Sequence, residues 1–250
     1  SRLDLVFSGL KANGVECSGL VSDTGNEAAI YALAQEAQTR LGGTDVLINN
    51  AGVGLMAPIE KLRTADAQWL MNINFWGVVH GCQAFIPQMR QRPDAVLVNI
   101  SSIFAMVSIP TQGIYNASKA AVRGFSDALR EELRGSALDV LCVHPGGIKT
   151  NIANSARITD VSMVADSDQE MRDNFTKLAR TTPQQAAAVI LRAIESRKTR
   201  VLIGADARFM DWMFRLFPAH ASHWLSNIGQ WMRRRNAAKA GSTSTQNNTI

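Results

Sequence analysis

Only three cysteines occur in the 250 residues, Cys17, Cys82 and Cys142, isolated and odd in number. That excludes a disulfide framework and any spaced set of thiolate ligands. It leaves free, buried thiols of a reducing compartment such as the cytoplasm. Histidine is almost as scarce. His80, His220 and His223 form no ligand set with one another or with the cysteines, so no metal is predicted. No apolar run reaches the roughly 18 residues of a spanning helix. The opening S-R-L-D-L-V lacks the pattern of a signal peptide and has no initiator Met. Net charge is only +5. No basic stripe is interleaved with aromatics, so no nucleic-acid partner is expected.

What the chain has is apolar content, 46% of its residues, arranged in alternating periods. A chain this long can bury a full core as one α/β domain. Val15 to Val21 reads as a short strand. Asn26 to Leu41 has helical spacing, with Ala29, Ile30, Leu33, Ala34 and Ala37 on one side. Asp45 to Ile48 is a brief strand, Ala65 to Gln91 a helix with Pro87 near its end, and Ala95 to Ile100 a near-continuous apolar strand. Gln112 to Arg134 is a long helix, and Leu138 to Val143 another buried strand. Residues 151–182 are polar and irregular, with short helices. Pro183 opens a helix to about Ser196, where its missing N–H costs little, and Arg200 to Ile203 is a last strand. Repeated β-α-β with apolar strands predicts a parallel sheet wrapped by helices. No internal repeat is visible.

The chemistry lies where such a sheet binds ligands, beyond the carboxyl ends of its strands. N-N-A-G (Asn49 to Gly52), Ser101 with Ser102, and P-G-G-I-K-T (Pro145 to Thr150) each end one strand. In Y-N-A-S-K, Tyr115 and Lys119 are one helical turn apart and share a face. Ser102 lies thirteen residues upstream of Tyr115. A free phenol has a pKa of about 10, and bringing it to about 7 takes roughly 4 kcal/mol of preference for the phenolate, which a fixed ammonium can supply. The plainer alternatives are a solvated Tyr–Lys pair, a strand-end cap at Ser102, a structural amide at Asn74 and a structural His144.

The motifs together resemble the short-chain dehydrogenase/reductase family: S-D-T near Asp23, L-I-N-N-A-G, M-N-I-N-F-W-G, L-V-N-I-S-S, Y-N-A-S-K-A-A and H-P-G-G-I-K-T. The resemblance runs from about Val15 to Ile203 in the family's order. It implies a Rossmann-like doubly wound α/β fold and an NAD or NADP cofactor. Tyr115 would exchange a proton with a carbonyl or alcohol oxygen while hydride moves to or from the nicotinamide. Lys119 would lower the tyrosine pKa and hold the ribose, Ser102 would hold the substrate oxygen, and Asn74 would bind a water linking Lys119 to solvent. Asn50, Ala51 and Gly52 would form the floor under the cofactor, Pro145, Gly146 and Thr150 would contact its nicotinamide end, and Asp23 would meet the adenine. The family also implies a homodimer or homotetramer packed through the helices from Ala65 and Gln112. A non-catalytic dinucleotide sensor, or an inactive scaffold, is the alternative; intact Ser102, Tyr115, Lys119 and Asn74 favour an enzyme. Ile103, Phe104, Met106, Val107, Ile152 and Met163 suggest a lipophilic alcohol, ketone or aldehyde.

Two departures follow. The family's first strand, glycine-rich turn, first helix and second strand have no counterpart. A β-α-β unit is about 30 residues or more, which fits the shortfall. The missing turn would hold the pyrophosphate and the missing strand would choose between NAD and NADP. A partial chain is therefore expected, with a glycine-rich segment upstream of Ser1 and an unpaired Val15 strand. Gly52 to Ala57 formally matches G-x-G-x-x-A, but Pro58 intervenes before any helix, so it is read as part of the N-N-A-G loop. The second departure is at the other end. The domain is expected over 1–205, a helical extension over 206–235 and a disordered tail over 236–250. Phe209, Met210, Trp212, Met213, Phe214, Leu216 and Phe217, then Trp224, Leu225, Ile228, Trp231 and Met232, precede Arg233, Arg234 and Arg235. Such a segment can cover the cleft, pack on a second subunit, or lie on a membrane surface.

Overall fold

A computed structural model describes residues 2–230; the segment from Trp231 onward, including the arginine triplet and the predicted tail, lies outside the described residues. The centre is a parallel sheet of four strands, β1 (Val46–Asn49), β3 (Ala95–Ile100), β4 (Leu138–Pro145) and β6 (Arg200–Ile203), in the order β1-β3-β4-β6. The register pairs Leu97 with both Leu47 and Val140, and Val143 with Ile100 and Val201.

Side chains alternate across the pleat, so each strand feeds two cores. Leu97, Leu138 and Val140 face one layer. There they meet Val78, Cys82, Phe85 and Met89 of α4 (Gly77–Met89), Val122 and Leu129 of α5 (Gly113–Glu132), and Ala34 of α2 (Glu27–Leu41). Val96, Val98, Leu141 and Val143 face the other, against Ala186 and Ala193 of α7 (Pro183–Glu195). Burial on both faces is why these strands read as continuous apolar runs. The predicted Rossmann-like arrangement, with helices on both faces of a parallel sheet, is the one observed.

Helix ends follow local chemistry. The Asn26 side chain accepts the Ala29 N–H at the start of α2, and Gly42, at φ 71°, closes it in the left-handed conformation. Thr182 and Gln185 form a reciprocal capping box that opens α7, with Pro183 in the first turn. The predicted Ala65 to Gln91 helix is α3 (Thr64–Met71) continuing into α4 through a π turn at Asn72–Trp76. That turn inserts an extra residue and aims Asn74 inward.

One predicted strand is absent. Residues 15–23 carry no ladder hydrogen bonds, and Val15, Leu20 and Val21 are 46%, 48% and 88% exposed. A strand needs a partner for its backbone N–H and C=O groups, and the sheet's edge is β1, which the segment does not reach. It is preceded by α1 (Arg2–Ala12), a helix that the strand reading did not anticipate.

A second, two-stranded sheet stands apart, with β2 (Leu55–Met56) parallel to β5 (Arg157–Ile158). The G-V-G-L-M-A stretch therefore runs into a strand and opens no helix. Asp66, buried on α3, takes Arg63 at 2.6 Å and Arg157 at 2.9 Å, and the Arg157 guanidinium lies 3.6 Å over the Trp69 ring. The Arg63 hydrogen bond, with that from Arg157, holds the Asp66 carboxyl below its ordinary range. This cluster pins the polar 151–182 segment, which also carries α6 (Asp168–Leu178), to the main body.

Candidate active site

The suggestive residues meet at the carboxyl ends of β1, β3 and β4. Beyond β3, Ser102 adopts an extended conformation and its hydroxyl accepts the Phe104 N–H at 3.1 Å, capping a short turn at Ile103–Ala105. It also stands near the Tyr115 phenol. Phe104 meets the Tyr115 ring edge-on at 6.5 Å. Tyr115 stands in the first turn of α5, half-buried, and burial raises its pKa above the ordinary phenol value while Ser102 pulls it back.

Lys119 lies one turn further on the same face, its ammonium 6.0 Å from the Tyr115 ring centroid. It is buried, and donates to the Ile100 carbonyl at 3.0 Å, the last residue of β3. Desolvation brings its pKa down to about 8. Ser101 anchors the helix at this point, its hydroxyl donating to the Lys119 carbonyl at 2.8 Å.

Asn74 is fully buried and spans the gap to the N-N-A-G loop. Its Oδ1 accepts the Val53 N–H at 2.8 Å, and its amide donates to the Val53 carbonyl at 3.0 Å and to Ser118 Oγ at 3.3 Å. Both amide hydrogens and one lone pair are thereby engaged, leaving one acceptor site on Oδ1. A Cβ placed on Gly52 would sit 3.4 Å from that oxygen and 3.5 Å from Lys119 Nζ. Gly52 thus borders the space between the amide and the ammonium. Asn50, Ala51 and Gly52 themselves are exposed on this loop.

The glycines nearby have steric reasons. At Gly77 a Cβ would lie 2.8 Å from the Thr24 carbonyl, so the last residue of N-F-W-G lets the Asp23 turn approach. Asp23 is exposed and accepts the Gly25 N–H at 2.9 Å. Gly146 has no room for a Cβ because of the Asp206 carboxylate, which accepts the Gly147 N–H at 2.6 Å. Asp206 was not singled out in the sequence; its only signal is its position just past Gly204, whose φ of 99° turns the chain back over the P-G-G loop. Pro145 ends β4 and Thr150 is exposed further along.

Three apolar residues read as pocket lining are elsewhere. Ile103, Met106 and Val107 are buried in a core under α8 (Ala205–Leu216), with Ala207, Met213 and Ala221. Met163 is 55% exposed. Phe104 remains at the site.

His144, buried near the end of β4, lies with Nδ1 3.2 Å from the Ser102 carbonyl. Desolvation, with Arg200 and Arg123, pushes its pKa down to about 4. A neutral ring in this contact carries its proton on Nδ1 and donates, fixing the backbone of Ser102. The unfolded chain takes up a proton near pH 6.5 and the folded one only near 4, so stability falls as pH drops through that window, by about 3 kcal/mol in full. Urea titrations of the wild type and His144→Gln should show the stability gap between them shrinking by that amount from pH 7 to 4. A gap independent of pH would refute the assignment.

With this geometry in view, a family sequence profile described as short chain dehydrogenase matches residues 1–160. A Mycobacterium tuberculosis protein with the provisional name oxidoreductase SadH is 35% identical over 197 residues, covering 78% of this chain and 70% of that protein. A 3-ketodihydrosphingosine reductase of Bacteroides thetaiotaomicron is 35% identical over 158 residues, 63% of this chain and 58% of its own length. Among solved structures, a short chain dehydrogenase/reductase from Burkholderia phymatum in complex with NAD superposes with a TM-score of 0.72 at 29% identity, covering 84% of this chain and 80% of that one.

Proposed function

Because this chain belongs to the short-chain dehydrogenase/reductase family, we propose that it is an NAD(P)-dependent oxidoreductase interconverting a lipophilic alcohol with its ketone or aldehyde. The observation that carries this reading is the buried Lys119 ammonium one helical turn from Tyr115, 6.0 Å from its ring, at the strand end that delivers Ser102.

The residues present fit the nicotinamide half of a dinucleotide. Lys119 has three N–H donors and spends one on Ile100, which leaves two for a ribose diol. The exposed Asn50–Gly52 loop offers backbone at close range, and Pro145, Gly146 and Thr150 border the same end of the sheet. When bound, the cofactor supplies or accepts the hydride. The rest is the work of the chain. Ser102 holds the substrate oxygen, and Tyr115 gives that oxygen a proton in reduction or takes one in oxidation. Lys119 favours the phenolate electrostatically, and Asn74, with its remaining acceptor site, holds a water between Lys119 and solvent.

Phe104 against Tyr115 gives the substrate side an aromatic wall, and a relative named as a ketosphingoid reductase is consistent with a long apolar substrate. The free thiols fit a cytoplasmic setting. Assembly as a homodimer or homotetramer belongs to the same reading. A panel of lipophilic ketones and aldehydes, run with NADH and NADPH and followed by nicotinamide absorbance, tests the proposal. Turnover with at least one carbonyl, abolished in Tyr115→Phe, is expected. Binding of dinucleotide without turnover of any panel member would favour the sensor reading.

A further inference from the structure

Near the carboxyl end of the described residues, α8 and the stretch after it present a surface that the reaction does not use. The inner side of α8 is anchored: Ala207 and Met213 lie buried against Ile103, Met106 and Val107, and Asp211 is held by Arg200 and Arg215. Its outer side is apolar and bare. Phe209, Trp212 and Leu216 recur there at helical spacing, and Phe217, Trp224 and Ile228 continue the patch into the helical stretch 221–230. These six side chains are between 39% and 56% exposed. Phe209 stacks on Trp212 at 6.4 Å, and Phe217 meets Trp224 at 5.0 Å, so the rings form pairs without burying one another. Aromatic patches of this kind on a soluble surface mark an interaction site.

Charge indicates the occupant. From Trp212 to the end of the sequence there is no Asp or Glu, whereas Arg215, Arg233, Arg234, Arg235 and Lys239 are all basic. The last acid before that stretch, Asp211, is buried. Arg208, exposed, adds a cation beside Phe209. Exposed apolar rings, two of them Trp, on and beside an acid-free basic segment match the headgroup region of an anionic bilayer. A second copy of the chain fits less well, because a two-fold contact through this face would bring its exposed Arg208 and Arg215 against their own copies. Among the described residues no helix is long and apolar enough to cross a membrane, so the fit is to the surface.

We infer that the outer face of α8 and the following helical stretch dock the protein on anionic lipid, with Phe209, Trp212 and Leu216 entering the interface. The inference rests on this surface alone and stands apart from the identity of the reaction. Flotation of the full chain with vesicles of phosphatidylcholine and 30% phosphatidylglycerol, against phosphatidylcholine alone, tests it. Wild type should co-float with the anionic vesicles at least tenfold more than with the neutral ones, and lose that binding at high salt. The combined change Phe209→Ser, Trp212→Ser and Leu216→Ser should reduce it at least tenfold while circular dichroism stays unchanged. Should the triple variant misfold, Trp212→Gln alone should lower the quenching of tryptophan emission by brominated anionic lipid. Failure of wild type to float, or flotation indifferent to these substitutions, overturns the inference. So does a sedimentation mass that falls to monomer in the triple variant without any vesicle binding in wild type.

Discussion

Replacing Tyr115 with Phe should lower turnover by roughly 10³-fold, within the range that a positioned acid–base group contributes. The substitution removes one oxygen. It keeps the ring that meets Phe104 edge-on at 6.5 Å and leaves the α5 backbone as it is, so dinucleotide affinity should change little. What disappears is the phenol oxygen near Ser102, so the fold should lose no more than about 1 kcal/mol. Burial holds the phenol protonated at neutral pH, and that suits its role as the acid in reduction. In the direction of alcohol oxidation the same burial works against it, and the rate should rise with pH. Steady-state rates in both directions, with dinucleotide binding measured by fluorescence, check this. Variant activity above a tenth of wild type would remove Tyr115 from the proton transfer.

Much of this site was legible because its chemistry is local or periodic. A spacing of four places Tyr115 and Lys119 on one face whatever surrounds the helix. The strand ending at Ile100 delivers Ser102 to the same edge because both sheet faces are apolar. The helix starts at Asn26 and Pro183 were equally readable, being set by side chains within one turn. Failures came where long-range contacts decide. Val15 to Val21 has strand composition, but strand structure requires a neighbour, and none is adjacent. Leu55 and Met56 pair with Arg157 and Ile158 across about a hundred residues, a contact that no window of sequence contains. Ile103, Met106 and Val107 looked like pocket lining because they follow Ser102; α8 claims them for a core instead. The bonds by which Asn74 holds the N-N-A-G loop, to Val53 and Ser118, likewise join residues 21 and 44 positions away and have no local signal. Asp206 gave no warning, because its effect is exerted on Gly146 and Gly147, some sixty residues away in sequence.

Lys119→Met should separate catalysis from stability. Two unit charges about 6 Å apart, the scale of the ammonium's distance from the Tyr115 ring, interact by about 3 kcal/mol at an effective dielectric of about 20. Losing that bias toward phenolate should reduce turnover about a hundredfold, with most of the loss in kcat. Stability should respond through protons. Desolvation lowers the folded-state pKa of Lys119 from 10.5 to about 8, so between those values the unfolded chain holds a proton that the folded one has released. Stability of the wild type relative to Lys119→Met must then rise with pH across that window, by about 3 kcal/mol. Below pH 8 the wild type bears the whole cost of a buried ammonium. The variant escapes it, but loses about 1–3 kcal/mol to the unpaired Ile100 carbonyl, so the two should be close in stability at pH 7. Cys82 and Cys142, which burial pushes up to about 12 and about 11, make both proteins less stable above pH 9, and taking the difference largely cancels them. Denaturant midpoints of the two proteins from pH 7 to 10.5 give the result directly. A constant difference across that range would mean that the ammonium is solvated, and a solvated ammonium would bias the Tyr115 phenol far less.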